Sequence, residues 1–254
     1  MPLPPWPRPH FQPGGGDAHL FYKLHGDFSK PPTISRSKYR TAGIPGGIEA
    51  VQLDRERDAV GFRFGFEGPF VERMAAEHPS VLAAASATPG AMVLRGTIPD
   101  PENLDYFRDI VGVITAFLDG GATAVFDPYR LDWWTPEEWH ERVFDPQAPA
   151  PLAHVAILLS EESVPDRYWM HTRGMIKFGR PDLSMRGLTE DLLPGAEEVF
   201  NRFIAGQATG ARIPEGKSID SDLVAGDWAC HHGGSMDDPD FNNLHVEIRR
   251  SAET

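Results

Sequence analysis

Hydrophobic and polar residues alternate most clearly near the middle of the C-terminal half. Tyr168, Met170 and Thr172 interleave with Trp169, His171 and Arg173, the period of two that marks a strand with unlike faces. Gly174 ends the alternation, Phe178-Gly179 and Arg180-Pro181 read as a loop, and Leu183, Met185 and Gly187 resume an extended pattern. The same reading gives strands over residues 19–25, 46–54 and 59–66. The last two are read as an antiparallel pair, with Phe62, Phe64 and Phe66 on one core face. A helical pattern starts at Pro69, runs through Val71, Met74, Ala75 and Ala76, breaks at Pro79 and resumes over 80–87.

Residues 91–98 and 122–126 read as buried strands around the clearest helix, 101–118. Asp100 is its expected N-cap, and Leu104, Phe107, Val111, Ile114 and Leu118 form its apolar stripe. Thr135-Pro136-Glu137-Glu138 is a capping box opening a short helix to about residue 144. Residues 152–159 form an apolar strand, Leu192, Ala196, Val199, Phe200, Phe203 and Ile204 mark a second amphipathic helix, and a polar loop over 227–243 precedes a last strand over 244–249. The fold class predicted is α+β, with mixed, largely antiparallel sheets, two main amphipathic helices and two similar halves. The domain plan is a flexible Pro/Gly-rich N-terminus over 1–17, a first half over 18–146, a Pro-rich linker over 147–151 and a second half over 152–254.

Composition changes the picture in three ways. A chain of 254 residues that is 41% hydrophobic fills a substantial core. A formal net charge of −13 disfavours general nucleic-acid binding and anionic membrane surfaces. The lone cysteine, Cys230, forms no internal disulfide, and neither a signal peptide nor a membrane-spanning run is seen, so a cytoplasmic protein is expected.

The run from Thr172 to Asp182, T-R-G-M-I-K-F-G-R-P-D, resembles the T-R-G-[LM]-x-x-F-G-x-P-[DE] signature of an uncharacterised bacterial domain-of-unknown-function family. Similar features extend to the G-A-T-A-V-F strand at 121–126 and to 215–219, covering roughly residues 55–225. The resemblance implies an α+β fold in a bacterial cytoplasmic protein and carries over no catalytic residue. Separately, Lys23-Leu24-His25-Gly26 is similar to the K-L-H-G segment of sirtuin-like NAD-consuming domains, where that histidine is catalytic. Nothing before it can form the Gly-rich βαβ unit such a domain needs, so a strand-end histidine before a turn is the simpler reading.

Two stretches concentrate chemistry. Trp169, His171, Arg173, Lys177, Arg180 and Asp182 crowd the central motif as a candidate binding surface, with a solvated strand pair as the plainer alternative. Asp127, Tyr129, Trp133 and Trp134 follow a predicted strand, where they form either an aromatic platform or a clamp onto the core. Cys230, His231 and His232 are weak metal or thiol candidates without ligand spacing, and no metal or other cofactor is expected. The sequence therefore points to a non-enzymatic binding or interaction module for a protein or small-molecule partner. The alternative is a metal- or Cys/His-dependent hydrolase or transferase.

Overall fold

A computed structural model describes residues 2–67 and 71–250, and of residues 72–74 the backbone alone. Pro69 and the side chain of Met74, on which the first helical pattern partly rests, lie outside the described residues. Helix and strand contribute 30% and 29%, in two mostly antiparallel sheets, which makes the protein α+β. The chain forms two compact units: Met1–Pro7, His19–Ile98 and Asn103–Ala150 make the first, and Arg8–Ala18, Pro99–Glu102 and Pro151–Thr254 the second. No helix among the described residues is long and apolar enough to cross a membrane.

The first unit runs β1 (Ala18–Gly26), α1 (Arg36–Tyr39), β2 (Ile48–Asp54), α2 (Ala59–Arg63), α3 (Val71–Glu77), α4 (Pro79–Ser86), β3 (Gly90–Ile98), α5 (Asp105–Asp119), β4 (Ala124–Asp127), β5 (Asp132–Trp134) and α6 (Pro136–Trp139). Its sheet order is β2-β3-β1-β4-β5. Alternation on β1 decides the layering. Leu20, Tyr22 and Leu24 point to one face, where Tyr22 meets the Trp139 ring at 5.9 Å and Trp139 Nε1 donates to Thr115 Oγ1 of α5 at 3.0 Å. His19, Phe21, Lys23 and His25 take the other face. The Thr135 capping box forms, with both reciprocal bonds at 3.0 Å.

Two expectations are corrected here. Residues 59–66 are not a strand: they form α2 and a loop, and β2 pairs with β3 instead. The Asp54 carboxylate accepts from Glu56 N and Arg57 N and turns the chain, while Lys23 Nζ donates to the carbonyls of Gly61, Phe62 and Phe64 at 3.0, 2.5 and 2.8 Å. That ammonium satisfies the acceptors a helix end leaves open. Phe62 is buried and packs with Phe66 at 5.9 Å, whereas Phe64 is 49% exposed, so the three phenylalanines do not share one core face. Second, Asp100 does not cap α5, which starts at Asp105. Its carboxylate instead accepts from Gly14 N at 2.6 Å. β3, α5 and β4 follow one another along the chain, with β1 lying between the two strands in the sheet and running antiparallel to β4.

The second unit runs α7 (Pro151–His154), β6 (Ala156–Glu161), β7 (Tyr168–Arg173), a 3-10 turn over Met175–Phe178, β8 (Asp182–Leu188), α8 (Leu193–Ala208), β9 (Trp228–Ser235) and β10 (Asn243–Arg250). Its sheet order is β6-β7-β8-β10-β9, antiparallel except for β8 with β10. Met170, Leu183, Met185, Cys230, Val246 and Ile248 are buried, as are Ala196, Val199, Phe200 and Ile204 of α8. The segment read as a polar loop over 227–243 contains β9, because alternate residues Trp228 and Cys230 are buried on the strand. Residues 8–18 are hydrogen-bonded within this unit, with His10 N donating to Thr209 O at 3.0 Å and Gln12 N to Gly210 O at 3.1 Å.

His25 provides a test of the first unit's core. Its ring is fully buried among Phe62, Phe66 and Trp133, at 5.3, 4.9 and 5.3 Å, and neither nitrogen has a hydrogen-bond partner among the described residues. Burial, reinforced by the nearby Lys23 charge, pushes its pKa down from 6.5 to about 3. The folded state therefore keeps His25 neutral while the unfolded chain takes up a proton below about pH 6.5. Relative to a His25→Leu variant, the wild type should lose about 1.4 kcal/mol of stability per pH unit as pH falls from 6 to 4. Urea melts at matched pH check this, and parallel stability curves would contradict it.

Candidate functional site

The central motif is held by glycines that no other residue can replace without displacing backbone. Gly174 has φ +117 and a Cβ there would lie 2.6 Å from His154 O; Gly179 has φ +61 and its Cβ would lie 2.3 Å from Gly16 O. Between them the 3-10 turn buries Met175, Ile176, Lys177 and Phe178. Asp182, fully buried on β8, accepts from Thr172 Oγ1 at 2.8 Å, Met175 N at 3.2 Å and Asn243 Nδ2 at 2.8 Å. Burial raises its pKa to about 6 against the pull of these donors and of Arg173. Arg180, 2% exposed, donates to the carbonyls of Gln12, Gly179, Gly210 and Ala211 and to Asp100. The candidate residues Arg173, Lys177, Arg180 and Asp182 are thus buried and do not form the outward surface that their crowding suggested.

Trp169 and His171 sit on one face of β7. The Trp169 indole lies 3.9 Å from the His171 ring, 17° from parallel, and 3.8 Å from the Arg186 guanidinium. Two planar groups that close to one ring must take opposite sides, so neither indole face is left for stacking a ligand. Its Nε1 is also used, donating to Ser184 Oγ at 2.9 Å. Phe241 meets both rings edge-on, and burial together with Arg173 and Arg186 holds the His171 pKa down at about 4.

In the first unit, Asp127 to Asp132 is the turn of the β4–β5 hairpin. The buried Asp127 carboxylate accepts from Tyr129 N and Arg130 N at 3.1 Å, and Leu131 takes φ +60. Trp133 pairs with Phe126 and Trp134 with Val125, so the two indoles point to opposite faces. Each is 1% exposed. Trp133 stacks on Phe126 at 4.8 Å, and Trp134 meets Trp139 at 6.1 Å with the Arg130 and Arg142 guanidiniums over it. The clamp alternative describes them, and no Trp133-Trp134 platform forms because adjacent strand residues diverge.

On β9, Cys230 and His231 also diverge. The Cys230 thiol is fully buried and burial raises its pKa to about 11, the opposite of what a nucleophile needs. His231 Nδ1 bonds Glu215 Oε1 at 2.9 Å, and His232 Nε2 donates to Ile213 O at 2.7 Å. Among the described residues no three His, Cys, Asp or Glu side chains come together to hold a metal.

An opening of about 520 Å³ does lie over the β1, β2 and β3 strands of the first unit, lined by His19, Phe21, Glu49, Arg95, Thr97 and Tyr129 among others. Phe21 stacks on Phe64 at 5.6 Å and meets Tyr129 edge-on at 6.5 Å, forming an aromatic wall. In the same lining, Arg95 Nε donates to Glu49 Oε1 at 2.6 Å and His19 Nδ1 lies 3.1 Å from Thr97 Oγ1. Only Tyr129 was a candidate from sequence. The others come from three separate strands, and their one sequence signal is the His19, Phe21, Lys23, His25 alternation. Comparison with protein-family models, curated proteins and solved structures finds no match to this chain.

Asp182→Asn tests the buried carboxylate. Replacing an acceptor by an amide turns one NH₂ toward a donor, so a loss of about 1–3 kcal/mol at pH 7 is expected. Because the folded pKa is raised, the wild-type contribution from Asp182 grows as pH falls from about 6 to about 4. The stability gap between wild type and variant should widen over that window, and a pH-independent gap would contradict the assignment.

Proposed function

We propose that the protein is a non-enzymatic binding module and that it receives its ligand in the opening over the β1, β2 and β3 strands. One observation carries the reading: the aromatic pair Phe21 and Tyr129 and the exposed Arg95–Glu49 pair line one open depression of about 520 Å³. Its lining is as polar as it is apolar, which suits an amphipathic ligand better than a purely apolar one. Arg95 and Glu49 are each 57% exposed, so a ligand's own charge can replace either partner at small cost. The chemistry fits a small molecule or a side chain of a protein partner that joins an aromatic or aliphatic body to a carboxylate or an amine.

The hydrolase or transferase reading has less behind it. Cys230 carries a raised pKa, His231 and His232 are engaged by Glu215 and Ile213, and His171 is stacked and held neutral. On the binding reading, the T-R-G-M-I-K-F-G-R-P-D run supports membership of the domain-of-unknown-function family as a structural signature, and a bacterial cytoplasm keeps Cys230 reduced.

The test is a titration of the isotope-labelled protein with N-acetyl-phenylalanine and with phenethylamine, followed by backbone amide shifts. One of the two should shift the amides of His19 to Phe21 and of Gly96 and Thr97 saturably, and Arg95→Ala with Tyr129→Ala should abolish this without unfolding. Shifts confined to other residues, or unchanged binding by the double variant, would overturn the reading.

A further inference from the structure

Four strands end the two sheets, and three of their outer edges are protected against pairing with another chain. β5 is only three residues long. β2 carries Glu49, Gln52 and Asp54, all exposed. β9 is covered by its own chain, with Ile219 N donating to Trp228 O at 2.9 Å, Cys230 N to Lys217 O at 2.9 Å and Gly216 N to Cys230 O at 2.8 Å. Short strands, charges and covering loops are the usual devices that block edge-to-edge association.

The fourth edge has no covering loop among the described residues, and its one charge, Glu161, is confined to its last position. β6 presents Ala156, Ile157, Leu158 and Leu159 in succession, six residues long with neither proline nor lysine, and Leu159 is 49% exposed. Its inner side pairs with β7 from Ala156 to Glu161, and among the described residues no backbone group bonds its outer side. An open edge with four apolar residues in succession has the form on which an extended peptide can add a strand.

The geometry points to β6 as the acceptor of an extended, apolar segment from a basic partner protein, added antiparallel as a sixth strand. This goes beyond the ligand opening and does not depend on it. Charge selects this occupant over a second copy. The chain carries −13, so two copies repel, and the C-terminal end of β6 leads into exposed Glu161 and Asp166, which have no ion pair among the described residues. Glu162 is already held by Arg186 at 3.3 Å, and Arg167 lies past the turn on the β7 side. An antiparallel partner brings its N-terminal residues to this acidic end, so lysine or arginine there completes the match.

The experiment uses the full chain and two synthetic ten-residue peptides of alternating valine and threonine, one opening with two lysines and one with two glutamates. The lysine peptide should bind saturably and slow amide exchange across residues 156–161, with the glutamate peptide at least about tenfold weaker. Leu159→Lys, at an exposed position, should weaken the lysine peptide about tenfold or more while the circular dichroism spectrum is unchanged. The Tyr129→Ala variant, altered in the other opening, should bind the peptide as the wild type does. No binding at millimolar peptide, equal binding of both peptides, or protection of 156–161 that rises with protein concentration alongside a dimer in sedimentation would each overturn the proposal.

Discussion

The second unit depends on one guanidinium. Arg180 has five N–H donors, and the structure gives each an acceptor: Ala211 O for Nε, Gly179 O and Asp100 Oδ1 for Nη1, and Gln12 O and Gly210 O for Nη2. This single side chain gathers the N-terminal segment, the 3-10 turn and the chain leaving α8. A buried charge is tolerable only when its hydrogen bonds are complete, so those three segments must all be in place together. The constraint explains Gly15 as well. A Cβ at that position would lie 1.8 Å from Arg180 Nη1, so the absence of a side chain at Gly15 is what lets the N-terminal segment approach the guanidinium. Arg8 acts in the same way on Pro101, Phe178, Gln207 and Ala208.

The first unit uses an ammonium for the same purpose. Lys23 projects from the central strand into the end of α2, and its three donors meet three carbonyls. That contact roofs the part of the sheet face that holds His25, and aromatic packing of Phe62, Phe66 and Trp133 closes it. Further along β1 the roof stops. His19 and Phe21 are only half buried, and the opening with Tyr129, Arg95 and Glu49 lies there. In both units polar residues that look available in the sequence are consumed by backbone acceptors, and recognition is left to places where packing ends.

Much of the architecture was legible from periodicity. The strand alternation at β1 and β7, the apolar stripe of α5 and the Thr135 capping box are local patterns, with consequences fixed within a few residues by side-chain direction and backbone hydrogen bonding. The alternation of Phe62, Phe64 and Phe66 misled because a remote lysine, 38 to 41 residues earlier in the chain, stabilises α2 there.

By itself the sequence determined the fold class, the main strands and helices, and the choice of residues with chemistry to offer. Which of those residues face solvent was decided only in three dimensions. Trp133 and Trp134 are adjacent in the chain and yet enter opposite sides of a sheet. Arg180 and Asp182 are charged and yet buried, because their partners come from residues 12, 100, 172, 210 and 243. Burial and hydrogen-bond satisfaction are sums over neighbours distant in sequence, and local pattern contains no record of them.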